Sequence, residues 1–228
     1  QKPVKDKKEK FKPKKRGRPK KGETREPKKP KILEQQHQMQ SVEEKLTLVS
    51  TDCGVGIKQN SKGNREVWIG GKLHISVVDG DIPVTAFYSA ANVHDSSVSL
   101  PLIQETSKRV NYLYDLQDAG YDADIIRAFS TALGHRAIID INPKNSKELK
   151  AKIEVQKDEQ KKFEMLSLAQ SSDTHHYNQR SMVERVNKYL KEDFGCNTIY
   201  YQGATKVASV LAFGILSVCI HQSLKLVT

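Results

Sequence analysis

The chain has 228 residues, 37% apolar and 29% charged, which allows one sizeable core and indicates a soluble protein with a markedly polar segment. That segment is residues 1–30, with 15 Lys and Arg against 4 Asp and Glu; the remainder holds 23 of each, so the whole net charge of +11 sits in the first thirty residues. Cys53, Cys196 and Cys219 are too few and too scattered for a disulfide framework or a zinc site and suggest a reducing compartment.

Residues 1–30 are rich in Lys, Pro and Gly, with almost nothing to bury, and are expected to be disordered alone. They open without the apolar core of a signal peptide, and with Gln in place of Met, as in a fragment or processed chain. Within them Arg16-Gly17-Arg18-Pro19 resembles an AT-hook, which lays two Arg side chains into a narrow A/T-rich minor groove. Gly17 permits close approach and Pro19 keeps the backbone extended. A non-specific phosphate-binding tail or a nuclear localisation patch fits the same residues, and Arg16 and Arg18 are candidate DNA contacts in each case. Residues 31–48 read as a linker with a short helix, Ser41 and Glu44 having capping-box spacing. The arm and linker are assigned to residues 1–45 and a folded domain to residues 46–228.

The domain opens with β-prone runs. Leu46–Asp52 is expected as a strand ending in an acid, followed by Gly-rich turns around Asn60–Gly63, by Val67-Trp68-Ile69 and Lys72–Asp79, and, after a tight Gly80-Asp81 turn, by Ile82–Tyr88. These form an antiparallel meander of three strands. A helical region follows the Asn92–Asp95 corner. Val110–Asp118 predicts a fourth strand, Ile125–Leu133 a helix, Arg136–Ile141 a fifth strand, and Lys144–Leu168 a long, charged, solvated helix. The run Val207–Ile220 is about 14 residues, too short to span a bilayer, and is expected as a buried helix within 204–226. Three antiparallel strands, then strand–helix–strand, then helices is the order of an α/β, ribonuclease-H-like mixed sheet flanked by helices. In such sheets chemistry gathers at strand ends.

One stretch organises the rest. Read as a helix at about 100° per residue, Tyr177–Lys191 places Tyr177, Arg180, Glu184 and Lys191 within roughly 60° of one another. Val183, Val186 and Leu190 fall on a separate arc suited to a core. A carboxylate flanked by cations and a phenol suits metal-assisted phosphodiester chemistry, although an i,i+4 pair on a solvated face gives the same pattern. Two Mg²⁺ ions need several carboxylates from distant parts of the chain. The best triple is Asp52 ending the first strand, Asp118 ending the fourth, and Glu184. Lys72 and His74 share a strand face, where Lys72 can meet the DNA backbone. His175 and His176 lack partners at zinc-ligand spacing.

The spacing Tyr-x2-Arg-x3-Glu-x6-Lys resembles the YREK signature of insertion-sequence DDE transposases. Lys72-Leu-His74, Ala91-Asn-Val-His-Asp95-Ser, Asp118-Ala-Gly-Tyr-Asp122 and Lys206-Val…Phe213-Gly-Ile-Leu are similar to further blocks of that family, in the same order, over most of residues 50–228. The resemblance implies that Asp118 and Glu184 are the second and third catalytic acids, and that Tyr177, Arg180 and Lys191 contact DNA or order the site. It also implies Mg²⁺ (Mn²⁺ as substitute), hydrolysis and strand transfer on double-stranded DNA at the ends of a mobile element, a possible homodimer, and a cytoplasmic, nucleoid-associated setting in a prokaryote.

The first acid is where the sequence departs. Cys53-Gly54-Val-Gly resembles related sequences reading Cys-Asp-Val-Gly, which puts the family's acid at Gly54. Asp52 lies two residues earlier on the expected strand, about 6.5 Å away. Either Asp52 is the ligand, or it compensates, or this copy is a catalytically inactive, transposase-derived DNA-binding protein. Asp79 and Asp95 are further candidates, and Asp52 is favoured.

Overall fold

A tight three-residue turn between two long strands builds the centre of the molecule. The computed structural model describes residues 30–59, 62–143, 146–167 and 172–227; the basic arm, with Arg16 and Arg18, lies outside them. Strands β2 (Arg65–Val78) and β3 (Ile82–Ala90) pair antiparallel with Val78 opposite Ile82, and within the Asp79-Gly80-Asp81 turn Gly80 and Asp81 take left-handed conformations, at φ 82° and 58°. Strand β1 (Gly54–Gln59) lies along the first half of β2, with Gly54 opposite Gly70. A second, parallel pair consists of β4 (Tyr114–Gln117) and β5 (Arg136–Ile139), joined through α4 (Asp124–Ala132). The architecture is α/β, sheet with flanking helices, as expected.

The first strand is not where the sequence suggested. Leu46 and Thr47 close a helix, α2 (Val42–Thr47), and Asp52 sits in an exposed bend before β1. The capping box contributes: Ser41 Oγ accepts from the Glu44 N–H and Glu44 reaches back to the Ser41 N–H, so helical bonding takes the first two residues of the β-prone run. Without a strand at 46–52, the described strands form two sheets, β1-β2-β3 and β4-β5, in place of one mixed sheet. The segment expected as a linker instead packs as α1 (Ile32–Gln38) and α2, with Gln36 and Lys45 buried. Gln36 Nε2 donates to the carbonyls of Lys45 and Ser97, tying this corner to the 3-10 turn Asp95–Val98 that leads into α3 (Ser99–Arg109).

Two cores result. Leu100 and Ile103 of α3 meet Ile126 of α4 and Ile139 of β5. Helix α5 (Lys147–Ser167) buries none of its residues, as its charge density predicts. On β2, Ile75 packs with Val186 and Leu190 of α7 (Ser181–Glu192) and Val218 of α8 (Ala204–Val227). Full burial of Val186 and Leu190 stabilises the fold by about 1.5–3 kcal/mol each. Gly214 lets α8 approach closely, since a Cβ there would lie 2.4 Å from Cys196 Sγ.

Two further expectations change. The helix expected at 177–191 is divided: α6 (Ser172–Asn178) ends before Gln179-Arg180, where N–H groups bond three residues back (Gln179 to His176, Arg180 to Tyr177, Met182 to Gln179) before α7 begins. Helix α8 has the expected extent to within one residue but is less buried than anticipated. Its 24 residues are long and apolar enough to cross a membrane, yet only 22% of that apolar window is buried.

Candidate active site

Acids stand where β4 and β5 end. Asp118 follows β4 and accepts from the Gly120 N–H at 2.9 Å, capping the 3-10 turn Ala119–Tyr121. Asp140 follows β5 and accepts a hydrogen bond from the Tyr177 hydroxyl of α6. At the opposite ends of the two strands, buried Asp115 accepts from the Tyr112 hydroxyl at 2.9 Å and faces His135 Nδ1 at 3.3 Å, pinning the strand starts together. The parallel pairing therefore brings Asp118 and Asp140 to one end of the sheet.

A third acid reaches the same place from the first sheet. Asp95 opens the 3-10 turn after the Asn92–His94 corner, and Lys72 Nζ binds its Oδ1 at 3.0 Å and the Val93 carbonyl at 3.0 Å. His74, buried on the same face of β2, has Nε2 2.8 Å from Ser89 Oγ and Nδ1 4.0 Å from Asp95. Burial holds its pKa down at about 4 and Lys72 pushes the same way, against the pull of Asp95.

Two phenols connect these acids. Burial, and then the charges of Asp95 and Asp118, push the Tyr121 hydroxyl far above its ordinary range. Tyr177 is raised by burial, by its bond to Asp140 and by that charge, opposed by Arg180 and reinforced by Asp118. Tyr121 thus lies within electrostatic reach of Asp95 and Asp118, and Tyr177 of Asp118 and Asp140. Both stay protonated donors at neutral pH. The Arg180 guanidinium lies 5.5 Å from the Tyr177 ring centroid and its Nη1 is 3.6 Å from Glu184 Oε1. Protonated phenols between carboxylates, with Lys72 and Arg180 at the flanks, make a polar seam between the two sheets.

The chain matches the family described as Transposase DDE domain over residues 47–220. The chain belongs to the DDE transposases. No curated protein and no solved structure matches it. A transposase-type function, with DNA as substrate, follows from the family.

Against the DDE pattern, the structure draws Asp118, Tyr177 and Arg180 together and holds Arg180 near Glu184, whose side chain is 68% exposed. Asp52 is exposed outside any strand, and its N–H bonds to Ser50 Oγ. Lys191 is exposed near the far end of α7. Lys72, expected against DNA, directs its ammonium into the Val93–Asp95 corner. His176 stacks on Tyr114 at 4.3 Å. The carboxylates have the hard oxygen donors that Mg²⁺ and Mn²⁺ take. Their arrangement does not fit a closed metal site: among the described residues no three His, Cys, Asp or Glu side chains converge to hold an ion.

Gly54, where the resemblance implies an acid, starts β1 beside the Ala91-Asn92 corner. A Cβ there would meet Asn92 Oδ1 at 2.4 Å and the Ala91 nitrogen at 3.2 Å. An acid at 54 therefore enters this seam only if the exposed Asn92 side chain swings aside. Asp140 escaped the sequence reading because the fifth strand was run on to Ile141, which left the acid inside a strand. The strand stops at Ile139, and the rule that acids at strand ends carry chemistry then selects it.

Proposed function

We propose that this DDE domain is a DNA transposase of the YREK type that hydrolyses the phosphodiester at the ends of a mobile element and transfers the freed 3′-end to target DNA. The observation that carries this reading is the seam at the strand ends, where Asp118 shares an electrostatic neighbourhood with Tyr177, Asp140 and Arg180. Asp118 and Glu184 are the assigned catalytic acids, with Asp52 as the first. Tyr177, Arg180 and Lys191 position DNA, and Arg16 and Arg18 in the arm at 1–45 add salt-sensitive affinity for it. On this reading the carboxylates would take Mg²⁺, with Mn²⁺ as substitute, only once drawn together; two copies act together, and the setting is the prokaryotic nucleoid.

The second reading, a catalytically inactive DNA-binding protein, is favoured by Gly54 and by the open arrangement of the acids. A cleavage and joining assay on labelled element ends with Mg²⁺ or Mn²⁺ separates the two. On the first reading the wild type joins 3′-ends and Asp118→Asn and Glu184→Gln each lower the rate at least 100-fold. Silence of the wild type, with activity restored by Gly54→Asp, would establish the second. Joining that is unaffected by Asp118→Asn would overturn the site.

A further inference from the structure

We propose that α8 is the interface of a two-fold symmetric homodimer, in which the helices of two chains pack antiparallel about Ile220. The proposal rests on the surface of the helix and does not depend on the catalytic reading.

Helix α8 has two faces. Leu211, Gly214, Val218 and Gln222 are buried against the domain. On the opposite side Phe213, Leu216, Ile220, Leu224 and Val227 are 53–87% exposed. At 100° per residue these five fall within about 80°, so they form one straight stripe. An exposed helix face is ordinarily charged, as α5 is, yet no Asp, Glu, Lys or Arg occurs between Lys206 and Lys225. The five side chains expose roughly 600 Å², at the upper end of what a monomer leaves open, and with the small residues beside them approach the ~800 Å² per partner of a standard interface.

The stripe is also self-complementary. Its spacings are three, four, four and three residues, the same read from either end. A two-fold axis through Ile220 therefore sets Ile220 on its own copy, Leu216 on Leu224, and Phe213 on Val227, large against small. Such matching is what an isologous contact requires. Antiparallel packing also opposes the helix dipoles, and Lys225, whose ammonium lies over the Tyr189 ring on the domain side of α8, stays clear of the stripe.

The full chain is tested by light scattering after gel filtration at micromolar concentration. The wild type is expected at about 51 kDa, twice its 25.7 kDa. Leu216→Glu and Ile220→Glu, both at exposed positions, are expected as monomers with unchanged far-UV circular dichroism, dimerising at least 100-fold more weakly. Orientation is read by mild oxidation in a background with Cys53 and Cys219 replaced by Ser. Ile220→Cys cross-links to a covalent dimer, Phe213→Cys alone does not, and Phe213→Cys with Val227→Cys does. A monomeric wild type overturns the proposal, and one that also floats with phosphatidylcholine–phosphatidylglycerol vesicles assigns the face to a membrane instead. A dimer that survives Ile220→Glu, or efficient self-linking of Phe213→Cys, overturns the interface or its direction.

Discussion

His74 is the residue whose chemistry reaches furthest into stability. Its folded pKa of about 4 lies below the ordinary 6.5, so the native state resists a proton that the unfolded chain takes up. The contribution is fully present above pH 6.5, declines as the pH falls, and is exhausted near pH 4, where the native ring also protonates. The span corresponds to about 3 kcal/mol. Urea unfolding of wild type and His74→Gln between pH 7 and 4 should show a wild-type decline that the variant lacks; parallel curves would refute the assignment. At neutral pH Tyr177→Phe removes the hydroxyl from Asp140 and should cost about 1 kcal/mol, readable in the same titration.

At the scale of elements, α7 is held by packing on one side and by a charged clasp on the other. Arg185 Nε and Nη2 both reach the Asp81 carboxylate, with distances of 2.7–3.1 Å, and fasten α7 to the β2–β3 turn. Asn tolerates the left-handed backbone at position 81, so Asp81→Asn removes the charge and keeps the turn. A double-mutant cycle with Arg185→Ala should give a coupling of about 1 kcal/mol; strict additivity would show the clasp to be idle. Gly214→Ala forces Cys196 away and should destabilise by about 1–3 kcal/mol by thermal melting. Most of these elements could be read from periodicity. The Gly80-Asp81 turn, the 124–132 helix and the solvated 147–167 helix declared themselves through local residues alone. What escaped was decided by competition or by tertiary context. Leu46–Asp52 is β-prone, but the helix started by the Ser41–Glu44 capping box takes Leu46 and Thr47, and the rest of the run forms no strand. The burial of α8 was overestimated because hydropathy does not say which face has a neighbour. Of the candidate site, Asp118 was legible as an acid ending a strand and Tyr177 from helical spacing, whereas Asp140 needed the strand to end two residues earlier than its composition suggests.

Across the whole molecule, charge is divided between an arm carrying all of the net +11 and a neutral remainder. Removing residues 1–30 should therefore flatten the dependence of log K for DNA on log salt by close to one unit for each phosphate contact the arm makes. A filter-binding series from 50 to 200 mM salt checks this, and an unchanged slope would place the contacts in the domain. The division of the signature helix has a consequence of another kind. Helix α6 rests on β4 and holds Asp140, while α7 rests on β2 and is clasped to its hairpin, so Gln179-Arg180 is the joint between two sheets that share no ladder among the described residues. A residue in 3-10 geometry turns by 120° where an α-helical one turns by 100°, so two of them rotate everything downstream by about 40°. The residue count from Tyr177 to Glu184 is kept while the bearing of the carboxylate changes, as a crank changes the direction of a rod without altering its length. Any tilt of one sheet against the other becomes a swing of Glu184. Spin labels on α6 and α7 would register it as a distance distribution that broadens when Gln179→Gly loosens the joint and narrows when Gln179→Ala stiffens it.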